Sequence, residues 1–178
     1  MSREQELVEL VDLNGLAIGS ATVDVAHAAP GQLHRAFSVL LFDEQGQTLL
    51  QQRAGGKSRF PLRWANSCCG HPAPGTSLVA AAQQRLAEEL GVTGVPLREV
   101  GVYTYRAADS ASGRVEHEYD HVLVGRVPRD LALTPDPAEV ESVRWAPSGS
   151  LPEVLTSPSY APWLSGVLPI AVNAIMRR

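Results

Sequence analysis

The sequence predicts an α+β fold, an α/β sandwich in which a mixed sheet is flanked by helices, and three observations predict it. Short apolar runs punctuated by turn residues fill the first third of the chain. A single amphipathic helical stretch follows near Ser77–Leu90, and two more helical stretches close the chain after residue 150. Strands and helices therefore do not alternate regularly, as a doubly wound βαβ fold would require.

The elements follow in order. Leu7 to Leu13 and Leu16 to Val25 read as strands joined at Asn14-Gly15, a turn pair that accepts positive φ, so the chain opens on a hairpin. Arg35 to Phe42 and Thr48 to Arg53 form a second hairpin around Glu44-Gln45-Gly46. Ala54 to Gly75 loses periodicity and is rich in Gly, Pro, Arg and Trp, the composition of a long functional loop. Thr76 or Ser77 caps a helix to Leu90, with Val79, Ala82, Leu86 and Leu90 as its apolar stripe, Arg85, Glu88 and Glu89 on the other face, and Gly91 as its stop. Strands are expected near Leu97–Tyr105, Glu116–Val127 and Val140–Trp145, and helices around Leu151–Leu155 and Pro162–Met176.

A chain of 178 residues supports one good core, so residues 1–178 are expected to form one domain. A formal charge of −4 argues against a general nucleic-acid or anionic-membrane binder, and any anion site must be local. Met1–Leu10 lacks the basic start and apolar core of a secretory signal, and Trp163–Val172 is broken by Ser165, Gly166 and Pro169. The expectation is a cytoplasmic monomer without a membrane span. Cys68 and Cys69 are sequence neighbours, a poor geometry for a structural disulfide.

Several side chains could carry chemistry. His27 and His34 flank a small turn-forming segment, and His71 lies in Cys69-Gly70-His71-Pro72. Glu116 and Glu118 are two apart on an expected strand, so both project from one face. Such a nitrogen and oxygen set suits Mn²⁺, Fe²⁺ or Zn²⁺ better than Ca²⁺, although a solvated surface reads the same way from spacing alone. Cys69 is a candidate proton donor or acceptor, and Cys68 points the other way if the segment is extended. Arg53, Lys57, Arg59 and Arg63 form a basic cluster able to wrap a diphosphate or simply to be solvated. Arg85 and Glu89 share a helix face, either as a surface ion pair or with Glu89 free to hold Mg²⁺.

Taken together, Leu33-His34-Arg35-Ala36-Phe37, the Trp64–Pro72 segment, Glu88-Glu89-Leu90-Gly91-Val92 and Glu116-His117-Glu118 resemble the type I isopentenyl-diphosphate delta-isomerases of the Nudix superfamily. The resemblance runs from about His27 to Trp163 and implies a Nudix fold with an extra N-terminal β-hairpin. It implies interconversion of isopentenyl and dimethylallyl diphosphates in isoprenoid biosynthesis. By it, His27, His34, His71, Glu116 and Glu118 bind Mn²⁺ or Zn²⁺ in an octahedral site, and Glu89 holds Mg²⁺ against the diphosphate. Arg53, Lys57 and Arg85 contact that diphosphate, Cys69 and Glu118 act as acid and base with Tyr105 assisting, and Trp163 stabilises the carbocation.

Two features qualify the resemblance. Counted from Gly70, an ordinary Nudix hydrolase motif expects Glu, Arg and Glu where this chain has Thr76, Gln84 and Arg85, so water activation would be poor. This favours isomerisation over a pyrophosphohydrolase acting on a nucleoside diphosphate derivative, or over a non-catalytic Nudix-fold binding module. Family members also carry a basic residue shortly before the first metal histidine, whereas Ala21–Asp24 offer none, leaving a weaker grip or compensation by Arg59 or Arg63.

Overall fold

A computed structural model describes residues 3–149 and 151–176. After a 3-10 turn at Arg3–Gln5 come β1 (Leu7–Val11), β2 (Ala17–Thr22), α1 (Val23–His27), β3 (His34–Phe42) and β4 (Gln47–Arg53). Then follow β5 (Trp64–Ala65), β6 (Cys68–Gly70), α2 (Leu78–Leu90), β7 (Arg98–Ala108), β8 (Val115–Arg126), β9 (Val140–Pro147), α3 (Leu151–Thr156) and α4 (Leu164–Met176).

β3 organises the sheet. It runs parallel to β8 from His34 opposite Glu118 to Phe42 opposite Arg126, and pairs antiparallel with β6 through Ser38 opposite Cys69. Its sequence is a nearly continuous apolar run because both of its faces are covered. Phe37, Val39 and Leu41 meet Leu78, Ala82, Leu86 and Leu90 of α2. Leu40 and Phe42 meet Val122, Val124, Leu164, Val167 and Leu168 under α4. The result is the expected mixed sheet between helical layers. Among the described residues, no helix is long and apolar enough to cross a membrane.

The first hairpin forms at Asn14-Gly15, with Gly15 at φ 79°. Its second strand stops at Thr22 rather than Val25, because Thr22 Oγ1 accepts from the Val25 N–H and starts α1. The buried residues there, Val23, Ala26 and His27, follow helical rather than strand spacing. In the second hairpin only Phe42 and Thr48 face each other; β4 then leaves to pair with β9 and β5. The region expected to be one long loop, residues 54–75, contains β5 and β6, strands too short to leave a periodic pattern. Cys69 therefore lies on a strand.

The α2 prediction holds at its ends, with Ser77 as N-cap and Gly91 as left-handed C-cap, and its stripe holds at Ala82, Leu86 and Leu90. Glu89, expected on the outer face, is instead buried beside that stripe. On α4, a Cβ at Gly166 would lie 2.2 Å from the Tyr103 ring, so glycine sets how closely α4 approaches β7. Gly166→Ala gains about 1 kcal/mol of helix propensity but overpacks the contact, which typically costs about 1–3 kcal/mol. Net destabilisation is expected, seen as a lower urea midpoint at unchanged m-value.

Candidate active site

The sheet register assembles the site. On β8, Glu116, Glu118 and Asp120 occupy the same face as Val122 and Val124, so three carboxylates continue the row that forms the apolar core under α4. His34 of β3 and Tyr105 of β7 both stand opposite Glu118, which makes one rung across three strands. Further along β3, Ser38 lies between Cys69 of β6 and Val122 of β8. Strand alternation thus turns Cys69 toward the site and Cys68 into the α2 core. At Gly70 a Cβ would meet Phe37 Cζ at 2.8 Å and Arg85 Cγ at 3.2 Å, so glycine permits the close approach of β6 between Cys69 and His71.

His27, His34, His71, Glu116 and Glu118 come together, with one potential ligand atom from each lying within 4.8 Å of all the others. The Nδ1 atoms of His27 and His34 donate to the Val23 and Gln32 carbonyls at 2.7 and 2.8 Å, which leaves each Nε2 with its lone pair facing the cluster. His34 Nε2 is buried without a hydrogen-bond partner. His27 Nε2 faces Glu116 Oε2 at 2.8 Å, and His71 Nε2 faces Glu118 Oε1 at 2.9 Å. Lone pairs facing carboxylate oxygens require a proton or a cation between them. Burial, reinforced by the neighbouring histidines, holds His71 well below the ordinary imidazole range and pushes His34 down to about 4, so a proton is disfavoured at both at neutral pH. These donors fit a divalent metal ion. His117 and His121 alternate onto the other sheet face and take no part.

A pocket of about 100 Å³ adjoins this cluster and is lined by Cys69, Tyr105, Glu118 and Trp163 together with Arg3, Arg53, Lys57, Arg59 and Arg85. Burial pushes the Cys69 thiol up to about 12, aided by the Asp120 and Glu118 charges. Burial also raises Glu118 well above the ordinary carboxylate range, with Glu116 and Asp120 adding to it, and Tyr105 donates its hydroxyl hydrogen to Glu118 Oε2 at 2.7 Å. Trp163 is buried against Phe60, and the Arg53 guanidinium lies 5.3 Å from its ring centre.

The basic residues divide. Lys57 pairs with Glu139, and Arg85 pairs with Glu88, Glu89 and Glu139. Arg53 donates to the Arg59 and Phe60 carbonyls. Arg59 reaches the pocket and bonds Glu116 and Glu4, with Val23 lining the same pocket from the segment that lacks a basic residue. Arg63 lines a separate cleft and is not part of the cluster. Glu89 does not line the pocket: Arg85 and Gln51 engage its oxygens, so the pair is buried rather than the surface contact that spacing suggested.

Sequence reasoning passed over Asp120, Asn66, Glu139 and Arg3. Asp120 was detectable as the next same-face carboxylate after Glu116 and Glu118, and Asn66 stood inside the Trp64–Pro72 segment without a role. Arg3 reaches the pocket, and Glu139 pairs with its cations Arg3, Lys57 and Arg85, both from distant segments that no local pattern marks.

One wall of the pocket is a constrained loop. Phe60 and Leu62 have φ of 46° and 60°, a region that residues other than glycine rarely adopt. Asp109 Oδ2 accepts the Phe60 N–H at 3.1 Å, and the Asp109 carboxylate also accepts from Ser112 and Ala111. Burial alone would raise its pKa, but the bonds from Ser112, Phe60 and Ala111 outweigh it and hold the group low. Because the folded pKa is depressed, the stabilisation is present above the unfolded value and is lost as pH falls through the folded one. Asp109→Ala is therefore expected to cost about 1–3 kcal/mol at pH 7. That penalty should shrink toward about pH 3, as measured by urea denaturation at both pH values.

Comparisons with known proteins give the family and the fold. The NUDIX domain family matches residues 32–165. An isopentenyl-diphosphate Delta-isomerase of Nocardia farcinica is 60% identical over 166 residues, covering 92% of this chain and 93% of the relative. The enzyme of that name from Streptomyces coelicolor is 48% identical over 172 residues, covering 97% of this chain and 86% of the relative. A solved structure from Deinococcus radiodurans superposes with a TM-score of 0.73 at 18% identity, covering 92% of this chain and 98% of that one, which is a likeness of fold. The chain belongs to the NUDIX superfamily and, within it, to the isopentenyl-diphosphate Delta-isomerase family.

Proposed function

We propose that this protein interconverts isopentenyl diphosphate and dimethylallyl diphosphate, a step of isoprenoid biosynthesis, acting as a cytoplasmic monomer. The observation that carries the reading is one small pocket lined by a thiol, a carboxylate, an indole and several cations. The positions where hydrolysis would need further carboxylates are Thr76 and Arg85.

In this reading the Cys69 S–H gives its proton to the terminal methylene carbon of the alkene, leaving a thiolate and a tertiary cation. The Glu118 carboxylate takes a proton from the carbon between the cation and the diphosphate-bearing carbon, and the new double bond forms; the reverse reaction exchanges the roles. Tyr105 holds the Glu118 carboxylate by its hydrogen bond. Trp163 offers an aromatic face, worth about 0.5–2 kcal/mol to a desolvated cation, and the enclosed pocket keeps water from trapping that cation. Arg53, Lys57 and Arg85 hold the diphosphate after exchanging their present partners, and Arg59 serves where a basic residue before His27 is missing.

His27, His34, His71, Glu116 and Glu118 would hold Mn²⁺ or Zn²⁺. Glu89 would hold Mg²⁺ with the diphosphate once Arg85 turns toward that anion. When bound, the ion of the histidine cluster supplies the positive charge that keeps Glu118 ionised beside Glu116 and Asp120.

The test is incubation with isopentenyl diphosphate in deuterated water with Mg²⁺ and Mn²⁺. Deuterium in a rearranged product is the expected result. Release of phosphate, or of a nucleoside monophosphate from a nucleotide substrate, would indicate a hydrolase. Binding without double-bond migration would indicate a binding module.

A further inference from the structure

We propose that Asn66 is a positioning residue that holds the Cys69 thiol and the Trp163 indole on one shared hydrogen-bond acceptor, an inference that rests on the isomerase reading above. Asn66 is fully buried between β5 and β6. Its Nδ2 donates to the Cys68 carbonyl at 2.7 Å and to the Val39 carbonyl at 3.2 Å. Carbonyls only accept, so these two bonds settle which way the amide points: a flipped amide would press oxygen against two oxygens.

Oδ1 is thereby aimed at two donors, Trp163 Nε1–H at 2.9 Å and the Cys69 thiol at 3.1 Å. The indole N–H can only donate, and an amide oxygen has two lone pairs, so the hydrogen-bonding capacity of Asn66 is filled. The other polar neighbour of the thiol, Ser38 Oγ, is farther away at 3.8 Å and gives its own hydrogen to Asp120 Oδ2. The shorter contact therefore selects the thiol rotamer.

The consequence lies in what the shared oxygen connects. Cys69 sits in the sheet, whereas Trp163 lies 97 residues from Asn66 at the start of the helical layer above it. Proton transfer to one alkene carbon creates charge on its neighbour, so donor and aromatic face must keep a set offset. Two layers packed only by apolar contact would leave that offset free to drift, and a misplacement of about 1 Å can cost about 10²-fold in rate.

Wild-type turnover is measured first, then Asn66→Ala is compared with it. The expectation is a kcat lower by about 10²-fold with KM within about threefold, because substrate grip lies with other residues. In a proton–nitrogen correlation spectrum, the indole N–H signal of Trp163, assigned through Trp163→Phe, should move upfield while those of Trp64 and Trp145 stay. A folded Asn66→Ala protein with an unmoved Trp163 signal, or with kcat within about twofold of wild type, overturns the proposal. If Asn66→Ala does not fold, Cys69→Ala decides the matter. Removing one donor from the shared oxygen should shift the Trp163 indole signal, and an unmoved signal overturns the shared acceptor. Should wild-type protein fail to isomerise, the functional reading falls, while the indole measurements still judge the geometry separately.

Discussion

Cys69→Ala is expected to abolish isomerisation, a loss of about 10⁴-fold at the upper end of what a positioned proton donor contributes. An unactivated alkene is a weak base, so the first step needs a donor held against carbon in a site that water does not enter. Cys69 lines the pocket, and its hydrogen rests on a neutral amide oxygen, whereas the neighbouring hydroxyl hydrogens sit on carboxylates. The Tyr105 hydroxyl hydrogen is committed to Glu118, the Ser38 hydrogen to Asp120, and the Asn66 amide donors to backbone carbonyls. Alanine removes one sulfur from a half-buried position on β6 and leaves the five side chains of the proposed ion site intact. Metal content and melting temperature should therefore match the wild type while the rate falls. Retention of more than about a tenth of wild-type kcat would show that the proton comes from elsewhere.

How much of this was readable in the sequence depends on the range of each interaction. The strands β7 and β8 were legible from alternation, β3 from a short apolar run ending at a turn, and the caps of α2 from Ser77 and Gly91, all of them local signals. Period-two spacing also placed Glu116 and Glu118 on one face, and the same rule extends to Asp120. The meeting of His27, His34 and His71 was not derivable from spacing. It depends on the parallel pairing of β3 with β8, which sets His34 beside Glu118, and on the three-residue β6 that delivers His71. Family resemblance supplied that grouping before physical reasoning could. Glu89 went the opposite way: its helical position beside Arg85 suggested solvent, but the side chain is buried and Gln51 of β4 hydrogen-bonds its carboxylate. Arg63 failed for a related reason, since the chain between it and Arg59 turns through the left-handed residues Phe60 and Leu62. No composition rule anticipates that turn.

Glu118→Gln should be as inactive as Cys69→Ala, near a 10⁴-fold loss by order of magnitude, yet differ from it in every other measurement. The amide keeps the size of the side chain but lacks the charge that accepts the proton. Oε1 faces the Nε2 atoms of His71 and His34 at 2.9 and 3.8 Å, and Oε2 accepts from Tyr105. With Tyr105 keeping the amide oxygen, the new NH₂ turns toward the histidine lone pairs and occupies what an ion would use. Even the loss of an outer partner of a ligand typically lowers metal affinity about 10–100-fold, and loss of a direct ligand should do no less. Stability without metal should move the other way. Burial and the neighbouring Glu116 and Asp120 raise the Glu118 pKa, and a raised carboxylate destabilises the fold at every pH above its unfolded value. Removing that carboxyl relieves the strain, so in EDTA the variant should melt at or above the wild-type temperature. Added Mn²⁺ at about 100 times its dissociation constant should stabilise the wild type by about 2.7 kcal/mol and the variant by clearly less. A Glu118→Gln protein that gains as much from Mn²⁺ as the wild type would remove Glu118 from the metal site, even if it proved inactive.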